Sequence, residues 1–288
     1  MDNSLPDEQR YIGFLTITIE SKGYMTPQKK VIWITGASSG IGEALVHEFN
    51  KKGAYLILSS RRTEELERVK NSCENHEETV RILQLDLSDT ESMASKAEEA
   101  ISLFGSVDML INNGGISQRA YAIDTEMETV RRIMEVNFFG TVALTKAILP
   151  HMIEQQSGHI VVISSVMGKI GTKYRSTYAA SKHALHGWFD CLRQEVYEHD
   201  IDVTLVCPGF VRTNVTVNAL TGDGDKYDKM EKAQKSAMPA DEFAKKLLPK
   251  LAQKKQEIYI GGSEILSVYL KRLSPRLLNT ILKKVQVT

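Results

Sequence analysis

From Val31 onward, short runs of β-branched and aliphatic residues alternate with longer stretches of helical period. The runs predict strands at 31–35, 55–59, 80–86, 107–112, 159–164, 202–207 and 257–260. Most are apolar without polar alternation, so these strands expect cover on both faces. Helical patterns at about 41–52, 63–76, 90–104, 126–154, 175–199 and 240–253 are long enough for the right-handed crossovers that join parallel strands. The expected fold is α/β, a doubly wound parallel sheet of about seven strands in a single domain at 29–262. Residues 1–28 read as a leader outside that core, 209–238 as a long loop over a substrate, and 263–288 as a helical extension.

Composition narrows the class. The 288 residues are 42% hydrophobic and 25% charged, with 19 Gly and 7 Pro, which excludes collagenous and disordered readings. Lys and Arg number 36 and Asp and Glu 36, so no global charge favours a nucleic-acid partner, and none is expected. Cys73, Cys191 and Cys207 form no CxxC pair, and three cysteines suit neither a disulfide framework nor a structural zinc site, so a cytoplasmic setting is expected. Asp2, Asp7 and Glu8 stand where a secretory signal carries positive charge, and the apolar run 13–19 is short. Neither a signal nor a membrane span is expected there.

The first strand-to-helix junction reads Thr35-Gly36-Ala37-Ser38-Ser39-Gly40-Ile41-Gly42. Gly36 suits a tight turn, while Gly40 and Gly42 let backbone amides and a helix N-terminus approach a pyrophosphate. Tyr178 and Lys182 lie four apart in a helical stretch and project from one face. A tyrosine near pKa 10 is a poor base, and lowering it by about 3 units needs about 4 kcal/mol of preferential phenolate stabilisation. A nearby ammonium and a cationic ligand would supply that. Ser165, at the end of a strand thirteen residues earlier, can join the phenol around one substrate oxygen. Ser164 points to the opposite face of a regular strand.

The spacing T-G-x-x-x-G-x-G resembles the classical branch of the short-chain dehydrogenase/reductase family. Later segments match in order across 31–260: Asp86, Asn112-Asn113-Gly114-Gly115, Asn137, Ser165, Tyr178-Ala179-Ala180-Ser181-Lys182 and Pro208-Gly209. The resemblance implies a Rossmann-like fold and an enzyme that moves hydride between a nicotinamide cofactor and a carbonyl or secondary alcohol. Tyr178 would carry the proton and Ser165 would bind the substrate oxygen. Lys182 would lower the tyrosine pKa and hold the ribose hydroxyls, with Asn137 positioning a water in the relay. A kink is expected at Asn137, a mediocre helix former inside a helical pattern. Gly114 departs from the alanine usual in the family, which should leave cofactor contact intact and loosen the turn after the fourth strand.

The cofactor site implied by the glycine loop and the resemblance comprises Gly36, Ser38, Ser39, Gly40, Ile41 and Gly42, with Asn113, Gly114, Tyr178 and Lys182 beside them. At its adenosine end, Ser60, Arg61 and Arg62 follow the second strand where an NAD-selective site carries a carboxylate. Guanidinium suits a 2′-phosphate, so NADP is expected, with NAD the alternative. Ser39 stands where some NADP-preferring relatives carry a basic residue. By resemblance Asp86 and Leu87 meet the adenine, Asn112 sits beside its ribose, and Pro208, Gly209, Val211 and Thr213 lie at the nicotinamide carboxamide. The substrate is read as a partly apolar small molecule, from Ile170, Tyr174, Phe210, Val211, Val215, Val217, Leu220 and Met230.

Other features weigh less. His183 and His186 lack a third ligand, so no metal is expected. Asn214-Val215-Thr216 is read as a chance sequon. The tail carries Leu266, Leu270, Leu273, Leu277, Ile281 and Val285 near helical spacing, with five basic residues against the single acid Glu264. That composition is compatible with peripheral contact to an anionic membrane, although a helix covering the cleft or packing on a second subunit is the preferred reading. Relatives assemble as homodimers or homotetramers through the helices that carry Asn137 and Tyr178, and the same is expected here. The alternatives are a non-catalytic dinucleotide sensor and a nucleotide-sugar epimerase. The intact Ser, Tyr, Lys and Asn set argues against the first, and the glycine-loop spacing with the modest C-terminal region against the second.

Overall fold

The computed structural model describes residues 26–215, 217–228 and 237–284. Most of the leader, Thr216 of the sequon, Met230 and Val285 therefore lie outside the described residues. Seven parallel strands form one sheet, β1 (Val31–Thr35), β2 (Tyr55–Ser59), β3 (Val80–Ile82), β4 (Met109–Asn112), β5 (Gly158–Ile163), β6 (Ile201–Pro208) and a last strand Glu257–Ile260, in the order 3-2-1-4-5-6 followed by that last strand. The order reverses between β1 and β4, the crevice where ligands of such sheets bind. All five residues of β1 and all six of β5 are buried, as expected for strands covered on both faces.

The helices divide between the faces. On one, α1 (Gly40–Asn50) packs Leu45 and Phe49 into a cluster with Phe243 and Leu247 of the helix Ala240–Leu251. Beyond β2, α2 (Thr63–Asn71) and the short α3 (His76–Thr79) lead into β3. On the other face, α4 (Met93–Phe104), α6 (Gly140–Glu154) and α7 (Ser176–Glu195) bury Ala97, Ala100, Leu144, Ile148, Leu185 and Phe189 against Trp33, Ile160 and Val162. Trp33 Nε1 donates to Ser59 Oγ at 2.8 Å, and that hydroxyl donates to Leu83 O at 2.7 Å, so these polar atoms are paired between β1, β2 and the residue that follows β3.

Several expectations need correction. The third strand ends at Ile82 rather than 86, although Leu83 and Leu85 still donate to Leu58 O and Ser60 O. The expected helix over 126–154 is α5 (Met127–Met134), a π turn over Glu135–Phe139, and α6. The π turn is the kink expected at Asn137. The loop 209–238 contains a two-residue strand β7 (Val211–Arg212) paired with β8 (Met238–Pro239), which leads into α8 (Ala240–Leu251) and then the sheet's last strand, β9 (Glu257–Ile260). The tail forms two helices, α9 (Leu266–Leu273) and α10 (Pro275–Lys284), because Pro275 cannot continue the first.

Candidate active site

The carboxyl ends of β1, β4, β5 and β6 open onto one cleft of about 1630 Å³, larger than a single small ligand needs. Gly36 and Gly40 hold left-handed φ of 63° and 61°. A Cβ on Gly42 would lie 2.2 Å from Gly36 O, so α1 can start this close to the turn only without a side chain. Asn113 braces the turn by donating its amide to Thr35 O (3.0 Å) and Gly36 O (3.2 Å). Ser39 caps α1 without a side-chain bond, leaving the amides of its first turn facing the cleft. These contacts leave a cradle suited to a pyrophosphate.

After β2, Arg62 Nη2 donates to Ser38 Oγ at 3.1 Å and reaches Ser39 Oγ at 3.5 Å. The basic group that the glycine loop lacks is thus supplied by the residues after β2. Asp86 accepts from Ser88 N and Oγ at 2.9 and 2.7 Å. Burial works to raise its pKa, but the Ser88 bonds and the charges of Arg61 and Arg132 outweigh it and hold the carboxyl below its ordinary range. Asn112 is not in the cleft. It lies 3% exposed and donates to Thr145 Oγ1 at 3.0 Å, because strand alternation turns it toward α6 while Asn113 faces the cofactor side.

The candidate catalytic side chains converge from the end of β5 and from α7. Ser165 Oγ accepts from Met167 N at 3.1 Å and lines the cleft together with Tyr178. Lys182, one turn beyond Tyr178, is buried and donates to Ile163 O at 2.9 Å. Burial lowers its pKa to about 8. Burial also raises the Tyr178 pKa, opposed by the Ser165 hydrogen bond and the charge of Arg119. The expectation that the ammonium lowers that pKa is therefore corrected. Lys182 Nζ stands 5.9 Å from the ring centroid and Arg175 5.7 Å, while the hydroxyl and Arg119 act against the burial.

Asn137 is wholly buried inside the π turn, where the widened ladder admits its side chain. Its amide donates to Ile116 O (2.9 Å) and Ser181 Oγ (3.0 Å), and Ile116 N donates to its Oδ1 at 2.8 Å. Behind β5, Ser164 Oγ pairs with His186 Nε2 at 3.0 Å, with His186 Nδ1 3.4 Å from Glu257 Oε1. Glu257 also pairs with Lys169 and accepts from Tyr259 OH at 2.7 Å. The His186 contact, then those of Lys169 and Tyr259, hold the Glu257 carboxyl far below its ordinary range against its burial. His183 bonds Ala179 O at 2.8 Å. Ser164 and Ser165 thus face opposite sides, one toward His186 and one toward Tyr178.

Gly36, Ser38, Ser39, Gly40, Ile41, Ser60, Arg61, Arg62, Asp86, Leu87, Asn113, Gly114, Ser165, Tyr178, Lys182, Pro208, Gly209, Val211 and Thr213 all line the cleft. Of the expected substrate residues, Ile170, Phe210, Val215 and Leu220 line it too. Tyr174 does not. At φ 66° it turns out against Tyr121, with ring centroids 4.5 Å apart, and Val217 is likewise outside the lining. The sequence reading missed Gln118, whose Oε1 accepts from Thr177 N (2.8 Å) and Tyr178 N (3.3 Å) and so caps the helix that carries Tyr178. It also missed Glu264, which accepts from Phe210 N (2.8 Å) and Gly262 N (2.9 Å) and ties the extension to the turn after β6. Helical spacing flags the extension as amphipathic, with covering the cleft or packing on a second subunit as the preferred reading, and Leu266, Leu270 and Leu273 do line the cleft.

A parallel sheet whose crossover point carries a glycine turn, with hydroxyl, phenol and amine gathered at the same edge, defines a dinucleotide-dependent oxidoreductase. A family model described as short chain dehydrogenase matches residues 30–223, and the chain belongs to that short-chain dehydrogenase/reductase family. It is 44% identical over 257 residues to Dehydrogenase/reductase SDR family member 7B of Danio rerio, covering 87% of this chain and 83% of the relative. It is 42% identical over 279 residues to Dehydrogenase/reductase SDR family protein 7-like of Anopheles gambiae, covering 95% and 88%. A short-chain dehydrogenase from Streptomyces avermitilis superposes with TM-score 0.76 at 28% identity, over 89% of this chain and 97% of that one. One from Burkholderia cenocepacia, solved in complex with NADP, shares the fold at TM-score 0.75 and 22% identity, over 91% of this chain and 100% of that one.

Proposed function

We propose that the protein interconverts a carbonyl and a secondary alcohol using NADP(H), with Tyr178 as the acid/base. The gathering of Ser165, Tyr178 and, one helical turn on, buried Lys182 in the wall of the same cleft as the glycine turn carries this reading. When bound, a nicotinamide dinucleotide supplies or accepts the hydride. Gly36 to Gly42 with Asn113 would hold its phosphates, and Pro208, Gly209, Val211 and Thr213 its carboxamide end. The substrate oxygen sits between the Ser165 and Tyr178 hydroxyls, where the phenol gives up its proton as charge develops on that oxygen. Lys182 holds the ribose hydroxyls, while Ser165 and the charge of Arg119 favour the phenolate. Asn137 has both amide hydrogens engaged, and one Oδ1 lone pair remains to accept from a relay water. The dehydrogenase/reductase names of the relatives support the reaction class.

Preference for NADP rests on Arg62 reaching Ser38 and Ser39, with Arg61 beside Asp86, where no carboxylate follows β2. The apolar lining from Ile170, Phe210, Val215 and Leu220 suits a partly apolar ketone or alcohol. A carbonyl and alcohol panel read by nicotinamide absorbance tests the reaction. Tyr178→Phe should abolish turnover while cofactor binding persists, and retained turnover would refute the role. Arg61→Asp and Arg62→Asp should each lower the ratio of NADP to NAD efficiency, whereas an unmoved ratio in both would assign NAD. Binding with no turnover on any substrate would favour the sensor. Assembly as a homodimer or homotetramer through the α5–α6 and α7 faces is part of this proposal, and light scattering on the purified chain tests it.

A further inference from the structure

The extension places apolar side chains in water where a soluble helix would bury them. Leu266, Tyr269 and Leu273 of α9 are 67%, 55% and 83% exposed, and Leu277 and Ile281 of α10 are 51% and 41% exposed. The residues of α9 recur at i, i+3 and i+7, and those of α10 at i and i+4, so each set forms one stripe. Inward-facing Leu278, 3% exposed, anchors the pair to the body of the protein. Contiguous exposed apolar surface of this kind marks an interaction site.

Two further observations say what the stripe meets. The first is charge. The chain is neutral overall, with 36 basic and 36 acidic residues, yet 265–284 holds Lys271, Arg272, Arg276, Lys283 and Lys284 and no acid. All five are exposed, and Glu264 just before them is engaged with Phe210 N and Gly262 N. Long basic side chains beside an apolar stripe can lay their stems along it and lift their heads to an anionic surface. Two copies of the chain meeting through this face would set five cations against five, so charge disfavours a second copy. The second observation is position. Leu266, Tyr269, Leu273 and Ile281 also line the cleft, as do Phe210 and Val215 from the loop after β6, 37% and 38% exposed. The stripe is therefore continuous with the mouth of the reaction cleft.

We propose that the α9–α10 face seats the protein on an anionic lipid surface, with the cleft mouth opening toward the lipid so that apolar substrate enters from the membrane. The apolar stripe supplies the partitioning and the basic residues the selection for anionic headgroups. Lys271 donates to Lys169 O at 2.6 Å, and Glu264 grips the turn after β6, so the face is held to both loops that border the site.

The test uses the full chain in vesicle flotation, with phosphatidylcholine alone against phosphatidylcholine containing phosphatidylserine. Binding to the anionic vesicles, falling as salt rises, is expected. Each basic residue neutralised should weaken it about fivefold, so Arg276→Gln with Lys283→Gln should lose about 25-fold. Leu277→Glu should abolish it. None of these three residues lines the cleft, and unchanged unfolding midpoints show that the variants fold. Absence of binding to anionic vesicles would overturn the proposal. So would equal binding to both compositions, or a change of oligomeric state in Leu277→Glu, which would assign the face to a second copy. The readout is lipid binding, so its failure leaves the proposed reaction untouched.

Discussion

His159 offers a direct test of how the sheet beneath the site responds to acid. It lies in the middle of the sheet on β5, 2% exposed, in register with Asp202 of β6. Thr204 donates its hydroxyl to Lys255 O at 2.8 Å, so the same oxygen accepts from His159 Nε2, also at 2.8 Å. That assigns the proton to Nε2 and leaves Nδ1 buried without a hydrogen-bond partner. Burial pushes the pKa down to about 4. The nearby charges act in opposite senses, Asp202 raising it and Lys254 lowering it. A histidine with a folded pKa below its unfolded value of 6.5 stays neutral in the native state while the unfolded chain takes up a proton. Its contribution to stability is present above pH 6.5 and is lost as pH falls toward 4. The loss attributable to this group is about 2 kcal/mol by pH 5 and about 3 kcal/mol once both states are protonated. His159→Gln keeps an Nε2 donor for Thr204 and cannot titrate. In urea unfolding free energies from pH 7.5 to 5, the wild-type protein should lose about 2 kcal/mol relative to the variant, measured against their difference at pH 7.5. Carboxylates titrate alike in both and cancel in that comparison. Parallel curves would refute the assignment of a neutral, buried imidazole.

Other substitutions probe the groups around the cleft. Gln118→Leu removes the acceptor for Thr177 N and Tyr178 N and should cost about 2 kcal/mol in urea unfolding, while Gln118→Glu retains most of that stability. Gly209→Ala places a Cβ 1.8 Å from Glu264 Oε1 and should release the extension, at about 1–3 kcal/mol and with faster proteolysis beyond residue 264. Gly114→Ala should cost less than about 1 kcal/mol, because the nearest obstacle is Leu87 Cδ1 at 2.6 Å, the far end of a side chain that can rotate. A larger loss in thermal unfolding would show that this leucine is locked.

How much of this was legible beforehand follows from where the information resides. Strands such as 31–35 and 55–59 were readable to the residue, because burial on both faces imposes a nearly unbroken apolar run, and 257–260 was readable from its alternation of half-buried and buried residues. The glycine turn and the i, i+4 pairing of Tyr178 with Lys182 were readable because both are local. Contacts between distant segments were not. Gln118 caps a helix that begins 58 residues later, as the separation from Ser176 shows. Arg119 and Arg175 come near Tyr178 only after folding, so the electrostatics of the phenol were assigned to the lysine and a cationic ligand, without either arginine. Asn112 and Asn113 look interchangeable in a string, and only strand register separates them. The two-helix form of the tail was signalled by Pro275, whose effect the apolar spacing masked.

The five-residue turn around Asn137 fixes more than one side chain. An ordinary α-helix advances about 100° per residue, so the extra residue accommodated there sets the rotational phase between α5 and α6. Deleting a single residue from 135–139 would let the ladder close regularly and swing one flanking helix by about that angle. Either Leu144 and Ile148 would roll away from the sheet or Ile133 would leave its seat. Natural length variation should therefore be tolerated in the loops on either side of this helical run and purged within it.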